Sequence, residues 1–215
     1  SFGVETVLEK YNTLTTLGNM PPKYEVVKGA MSPIGLYCKL YNFSSRDNVL
    51  VFDDCDSILL DDLSLNILKA ALDSKKVRKI CWNTDSHMLR REGVPDQFEF
   101  AGSVIFITNI KFDNVKSKKL RDHLEALESR CHYIDLTIDT LREKLLRIQQ
   151  IVKDGMLNSY SLPDETKQQV VEYIWDHKRR LREVSLRTVL KIADLAKAFP
   201  EQWQDMATST VLKPV

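Results

Sequence analysis

Several features are scarce in this sequence, and each scarcity excludes something. Seven glycines and seven prolines among 215 residues are too few for a low-complexity or collagen-like chain. No internal repeat is found. The four cysteines (Cys38, Cys55, Cys81, Cys131) form no CxxC pair, which argues for a reducing compartment and against a disulfide scaffold. The four histidines (His87, His123, His132, His177) do not stand at zinc-ligand spacing from those cysteines. No apolar run reaches the ~20 residues of a membrane-spanning helix, and no segment has signal-peptide layout. The expectation is a cytoplasmic protein with no membrane partner. A surplus of one charge is also missing: 31 basic residues face 30 acidic ones, for a net charge of +1. That balance excludes a strongly basic nucleic-acid coat and an acidic solvating tail, while leaving local patches open.

What is present reads as an α/β protein. Apolar residues at helical spacing from Phe2 to Leu14 predict a helix that Gly18 and Pro21-Pro22 end. A β-type stretch at 24–27 precedes a Ser32-Pro33 start signal for a helix to about Tyr41. Val49-Leu50-Val51-Phe52 is a continuous apolar strand of the kind buried on both faces of a parallel sheet, and it stops at Asp53-Asp54. A helix over about 63–72 follows, then an irregular piece over 77–102 with β-like Lys79–Trp82. A second apolar strand at 103–108 ends at Asn109. A helix over about 117–128, terminated by Ser129-Arg130-Cys131, and a last short strand at 133–136 complete the alternation. Beyond Asp139 three helical segments (about 140–153, 164–182 and 186–198) follow without a strand. The predicted division is an α/β core over 1–138 and an all-helical lid over 139–215.

Ligands of open parallel sheets bind outside the carboxyl ends of the strands. Asp53 and Asp54 directly follow such a strand: a first carboxylate there can hold magnesium through its water shell, and a second can polarise a water. An acidic turn capping the next helix, with Asp56, Asp61 and Asp62, is the structural alternative. Asn109 holds the same position one strand later, where an amide can orient water or serve simply as a turn residue. Arg130 at a helix C-terminus suits the macrodipole. Arg187 in the first turn of the last helix opposes it, which points to another partner such as a phosphate.

In this order these residues resemble the AAA+ family of P-loop ATPases, over almost the whole chain. Val49–Asp54 is similar to its Walker B motif, with Asp53 as the magnesium-linked residue and Asp54 where the family usually has the catalytic Glu. Asn109 resembles sensor 1, Ser129-Arg130-Cys131 the arginine-finger motif of clamp-loader subunits, and Arg187 sensor 2. The resemblance implies ATP and Mg2+ as cofactors, catalytic roles for Asp54, Asn109 and Arg130, and a homo-oligomeric ring, a hexamer by family analogy, because the finger acts on the neighbouring subunit. No GxxxxGK[ST] phosphate loop occurs among the 215 residues. The expectation is that Ser1 is the last residue of that motif, a ligand of Mg2+ and nucleotide, with the loop and the first strand upstream.

The resemblance also sets expectations for a client. Segment 77–102 lies where some AAA+ clades carry a pre-sensor-1 hairpin, so Trp82, His87, Arg90 and Arg91 are candidate contacts, with an ordinary surface connection as the alternative. Two basic clusters, Lys116–Arg121 (with Lys118 and Lys119) and His177–Arg182, can track phosphates or serve as solvated helix faces. The expected activity is remodelling of DNA or DNA–protein complexes, as in replication or helicase loading, by a phage-encoded ATPase in the host cytoplasm. The rivals are a non-catalytic scaffold subunit and a protein-remodelling ATPase.

Overall fold

The computed structural model describes residues 2–16 and 23–214. Ser1, the expected end of the phosphate loop, and Gly18 and Pro21-Pro22, the expected end of the first helix, lie outside them. The chain divides into two compact units, Ser1–Ile134 and Asp135–Val215.

The first unit is built on a parallel sheet. Its elements run α1 (Phe2–Thr16), β1 (Tyr24–Lys28), α2 (Pro33–Asn42), β2 (Val49–Asp53), a single turn α3 (Asp56–Leu59), α4 (Asp62–Ala71), β3 (Lys79–Cys81), α5 (His87–Arg91), β4 (Gln97–Glu99), β5 (Ser103–Ile107) and α6 (Lys118–Glu128). Strands β1, β2 and β5 pair in that order, all parallel, with β2 in the centre. The register places Val27, Phe52 and Phe106 in one row, and the two phenylalanine rings stack at 5.6 Å. These residues and Leu50 face a core that α2, α4 and α6 close with Leu36, Leu40, Leu65, Leu68 and Leu124. Val51, one residue out of phase, is fully buried outside that cluster, as the period-2 alternation of a strand requires. A central strand with both faces covered explains why β2 is an unbroken apolar run.

Local chemistry fixes the helix starts. Ser32 accepts from the Gly35 amide ahead of a proline at the first helical position of α2, Asp61 accepts from the Ser64 amide at 2.7 Å to start α4, and Ser117 caps α6. Segment 77–102 is an antiparallel ribbon of β3 and β4 whose connection carries α5. Its root is tied down by Arg78, which donates to the carbonyls of Ala71 (3.0 Å) and Gly102 (2.9 Å) and lies over the Phe100 ring.

The second unit is helical: α7 (Leu141–Ile151), α8 (Asp164–Asp176), α9 (Leu186–Ala198) and α10 (Trp203–Val211) enclose Leu145, Ile148, Val170, Ile174, Val189, Ile192 and Trp203. A capping box between Thr140 and Glu143 starts α7.

Three expectations need correction. No strand forms at 133–136; Tyr133, Ile134 and Leu136 are 63, 74 and 76% exposed, because a β-prone segment is a strand only where another strand supplies its hydrogen bonds. Helix α8 stops at Asp176 instead of 182, since the chain turns at 177–180 to let Leu181 pair with Leu212. Helix α10 was not anticipated, although Trp203, Ala207 and Val211, all buried, stand four residues apart.

Candidate functional site

In a parallel sheet in register, the strand ends arrive together, and whatever polar residues follow them share one edge. Here Lys28, Asp53 and Ile107 are aligned across β1, β2 and β5. Asp53 is nearly buried, its side chain 7% exposed, and Lys28 Nζ lies 3.2 Å from its Oδ2. The same ammonium reaches Glu5 of α1 at 2.7 Å. Hydrogen bonds to Glu5 first and Asp53 second hold the Lys28 ammonium above the usual lysine range.

Asp54 differs from its neighbour in every respect. It is exposed, and its backbone is left-handed, with φ 53°. Asp is among the few residues other than Gly that enter this region with little strain. The turn is held by the Asp54 amide, which donates to the Ile107 carbonyl at 3.0 Å. Asn109 Nδ2 in turn donates to Asp54 Oδ1 at 3.2 Å. The structure therefore brings Asp53, Asp54 and Asn109 together at one sheet edge. Beneath them, Thr108 donates to Asp56 at 2.7 Å, so the loops after β2 and β5 are tied twice. Cys55, between the carboxylates, donates its thiol to the Val27 carbonyl at 3.2 Å, and burial pushes that thiol up, so it is packing and not a nucleophile.

The donor set fits a hard, water-keeping cation. Among the described residues no cluster of three or more His, Cys, Asp and Glu could cage a metal, and magnesium does not ask for one: it takes one or two carboxylates and completes its octahedron with water and phosphate oxygens. Asp53 and Asp54 can supply that. Lys28 competes for the same carboxylate.

The other expected residues lie elsewhere. Arg130 follows α6 and is exposed, its guanidinium donating to the Ala126 carbonyl. It lines a shallow depression with Leu72, Asp73, Ser74 and Arg78, none of them at the strand ends. Arg187 belongs to the second unit, exposed in the first turn of α9. Trp82 is half-buried, edge-on to Tyr37 at 5.5 Å, and its indole N–H is buried without a partner among the described residues. Arg90 pairs with Asp85 at 2.8 Å and Arg91 with Glu92 at 3.1 Å, both on the exposed side of α5, where His87 lies beside Arg90. Lys118 is exposed, whereas Lys119 is paired with Asp62 and holds that carboxyl below its ordinary range. Lys28 and Glu5 escaped the sequence reading. The available signal was a lysine ending a strand next to the one that carries Asp53.

The chain resembles a phage protein. It is 35% identical over 211 residues to a protein of Enterobacteria phage T4 described as "Uncharacterized 36.7 kDa protein in nrdC-mobD intergenic region". The match covers 97% of this chain and 63% of the T4 protein, so the chain spans less than two thirds of that relative's length. No family model and no solved structure matches the chain. No helix among the described residues is long and apolar enough to cross a membrane.

Proposed function

We propose that these residues belong to a phage-encoded, magnesium-dependent ATPase of AAA+ type, working in the host cytoplasm as a homo-oligomeric ring that remodels DNA or DNA–protein complexes. The observation that carries the reading is the pair of consecutive carboxylates at the end of the central parallel strand, one nearly buried and one exposed and hydrogen-bonded to Asn109 of the next strand. The coarser architecture is compatible with a P-loop core, and β5 pairs with β2 alone among the described residues, leaving an edge for a further strand. That strand and the phosphate loop, with Ser1 as its last residue, are part of the proposal.

The division of labour follows from the two environments. Asp53 holds Mg2+ through water; the ion, when bound, screens the charge of the β- and γ-phosphates. Asp54, fixed through one oxygen by Asn109, offers the other to the proton of the attacking water. Asn109 positions that carboxylate and the water. Arg130 completes the site of the adjacent subunit, where such a finger contributes about 10³–10⁵ in rate, and Arg187 couples nucleotide to the helical unit. Water attacks the γ-phosphorus, the bond to the β-phosphate oxygen breaks, and the products are ADP, phosphate and a proton.

The test uses the full-length protein that contains these residues. Steady-state ATP turnover is measured for wild type, Asp54→Asn and Arg130→Ala, and for the two variants mixed. The expected result is loss of at least 10²-fold in each variant and partial recovery in the mixture, because a ring of both restores interfaces with an intact Asp54 and an intact Arg130. Full turnover in Asp54→Asn, or no turnover in the wild type, refutes the reading. The salt bridge of Lys28 to Asp53 favours a second reading, a scaffold subunit whose carboxylate is already neutralised. Nucleotide binding without turnover, unaltered by either substitution, supports that one.

A further inference from the structure

Among the cations outside the ion pairs of Lys28, Lys39, Arg90, Arg91, Lys119 and Lys167, one group lies in a region that the fold assembles from two segments remote in sequence. That region is the turn leaving α8 and the segment that comes back to it from α10. Lys178, Arg179, Arg180, Arg182 and Lys213 meet there, and the geometry fixes where three of them point. Leu181 and Leu212 form an antiparallel bridge, closed by Arg182 N–H to the Val211 carbonyl (2.9 Å) and Lys213 N–H to the Arg180 carbonyl (2.8 Å). Leu181 and Leu212 are 4 and 2% exposed. Beside these buried leucines Arg180, Arg182 and Lys213 are exposed to solvent, while Val211 joins the core. Arg182 is further steadied by its Nε donating to the Leu212 carbonyl at 2.9 Å. Arg179 is exposed in the turn, and Lys178 lies over the Trp175 ring at 5.5 Å.

We infer that this bridge and turn form a surface that binds the phosphate backbone of nucleic acid. Lys178, Arg179, Arg180 and Arg182, with Lys213 brought beside them by the bridge, concentrate positive charge that no ion pair among the described residues offsets. Asp176 and Glu183 flank the turn in sequence, yet neither pairs with these cations. Repulsion among five like charges gathered at the bridge and the turn before it is a cost that an anionic ligand removes. Nucleic acid suits the patch better than an acidic protein. A protein partner anchors on apolar or aromatic side chains in the centre of its interface, and no exposed large hydrophobic residue lies at 175–187 or 211–214. A backbone asks instead for spaced, unpaired cations, with arginine preferred for its bidentate grip on phosphate. Because no base-reading groove or loop accompanies the patch, binding is independent of sequence. The inference does not depend on the ATPase reading.

The experiment is fluorescence anisotropy of the full-length protein, without nucleotide, on labelled single- and double-stranded DNA of about 30 residues at several salt concentrations. With about four phosphates neutralised, affinity for the duplex falls about 10²-fold between 50 and 200 mM salt. The charge reversal Arg179→Glu, Arg180→Glu, Lys213→Glu is expected to weaken binding at least 10-fold and to flatten the salt slope by about three. The control Arg142→Glu, Lys144→Glu, Arg147→Glu on α7 makes the same change in net charge and is expected to bind nearly as wild type. If the reversal disturbs folding, Arg179→Gln with Arg180→Gln replaces it, with an expected slope change of about two. Wild type that fails to bind at the lowest salt, a control weakened as much as the patch variant, or polyglutamate competing as well as DNA of equal charge overturns the inference. The ATPase assay plays no part in these outcomes, so either conclusion can fail alone.

Discussion

Replacing Lys28 by Met is the most informative single change, because the ammonium sits between the carboxylate that would hold magnesium and an anchor on α1. The separations are 3.2 Å to Asp53 and 2.7 Å to Glu5. Bare Coulomb attraction at an effective dielectric of 20 gives about 5 kcal/mol at the longer distance. The lysine side chain is 58% exposed, however, and exposed pairs retain about 0.2–1 kcal/mol after solvent and salt have screened them. A ceiling of about 1 kcal/mol is a factor of about five in an equilibrium constant. Removing the ammonium from a nearly buried carboxylate therefore raises the affinity for a divalent cation two- to fivefold or so at low salt. Mn2+, which accepts the same oxygen ligands, makes the change readable as loss of its free EPR signal on titration of the full-length protein with a non-hydrolysable ATP analogue. Glu5→Gln gives the reciprocal result, since Lys28 then has Asp53 as its one carboxylate and competes harder. The reasoning is refuted if Lys28→Met leaves Mn2+ affinity unchanged or lowers it. Unchanged affinity would mean that Asp53 holds no metal; lowered affinity would mean that Lys28 supports the ligand and does not oppose it.

Two further predictions concern how the site is held. Gly102 enters β5 where a Cβ would come 2.3 Å from the Phe43 carbonyl oxygen and 3.1 Å from the Phe100 ring, so Gly102→Ala must push apart the end of α2 and the start of β5. The expected cost is about 1–3 kcal/mol of first-unit stability, read as a lower urea midpoint, with fraying of the strand that carries Asn109; a cost below about 0.5 kcal/mol would contradict the packing described. Tyr37 donates to the Pro95 carbonyl at 2.9 Å, and burial, as the main cause, pushes its hydroxyl up to about 12. The folded state therefore keeps this proton more tightly than the unfolded one, so its contribution is complete below pH 10 and is lost as pH rises from about 10 towards 12. Tyr37→Phe should cost about 0.5–1.5 kcal/mol at neutral pH and weaken that alkaline decline, as followed by denaturant titrations at pH 8 to 11.

The position of the candidate site was legible because parallel sheets advertise it. Val49–Phe52 is apolar on both faces and Asp53-Asp54 follows at once, which is enough to put two carboxylates at a strand end. Asn109 was legible for the same reason one strand later. The partnership between Asn109 and Asp54 was not, since they are 55 residues apart and meet only through strand register. Nor was the Lys28 to Asp53 bridge, since a lysine that ends a strand names no partner until the register sets it beside Asp53. Segment 133–136 failed in the opposite direction: its β propensity was real, but propensity without a hydrogen-bonding neighbour makes no strand. Helix α8 ended early because the bridge between Leu181 and Leu212 buries two leucines that a continued helix would separate.

The amino-acid order alone determined most of the helices and the three strands of the parallel sheet, the change from α/β texture to helices, and that acidic residues terminate the central strand. Those are local matters, set by periodicity, capping and backbone preference over a few residues. The tertiary structure alone decided which of two adjacent carboxylates is buried and which is exposed, which cation faces the buried one, and that Lys213 joins the basic run at 178–182. Burial and electrostatic pairing depend on distances between residues remote in sequence, and only the packed sheet and helices set those distances.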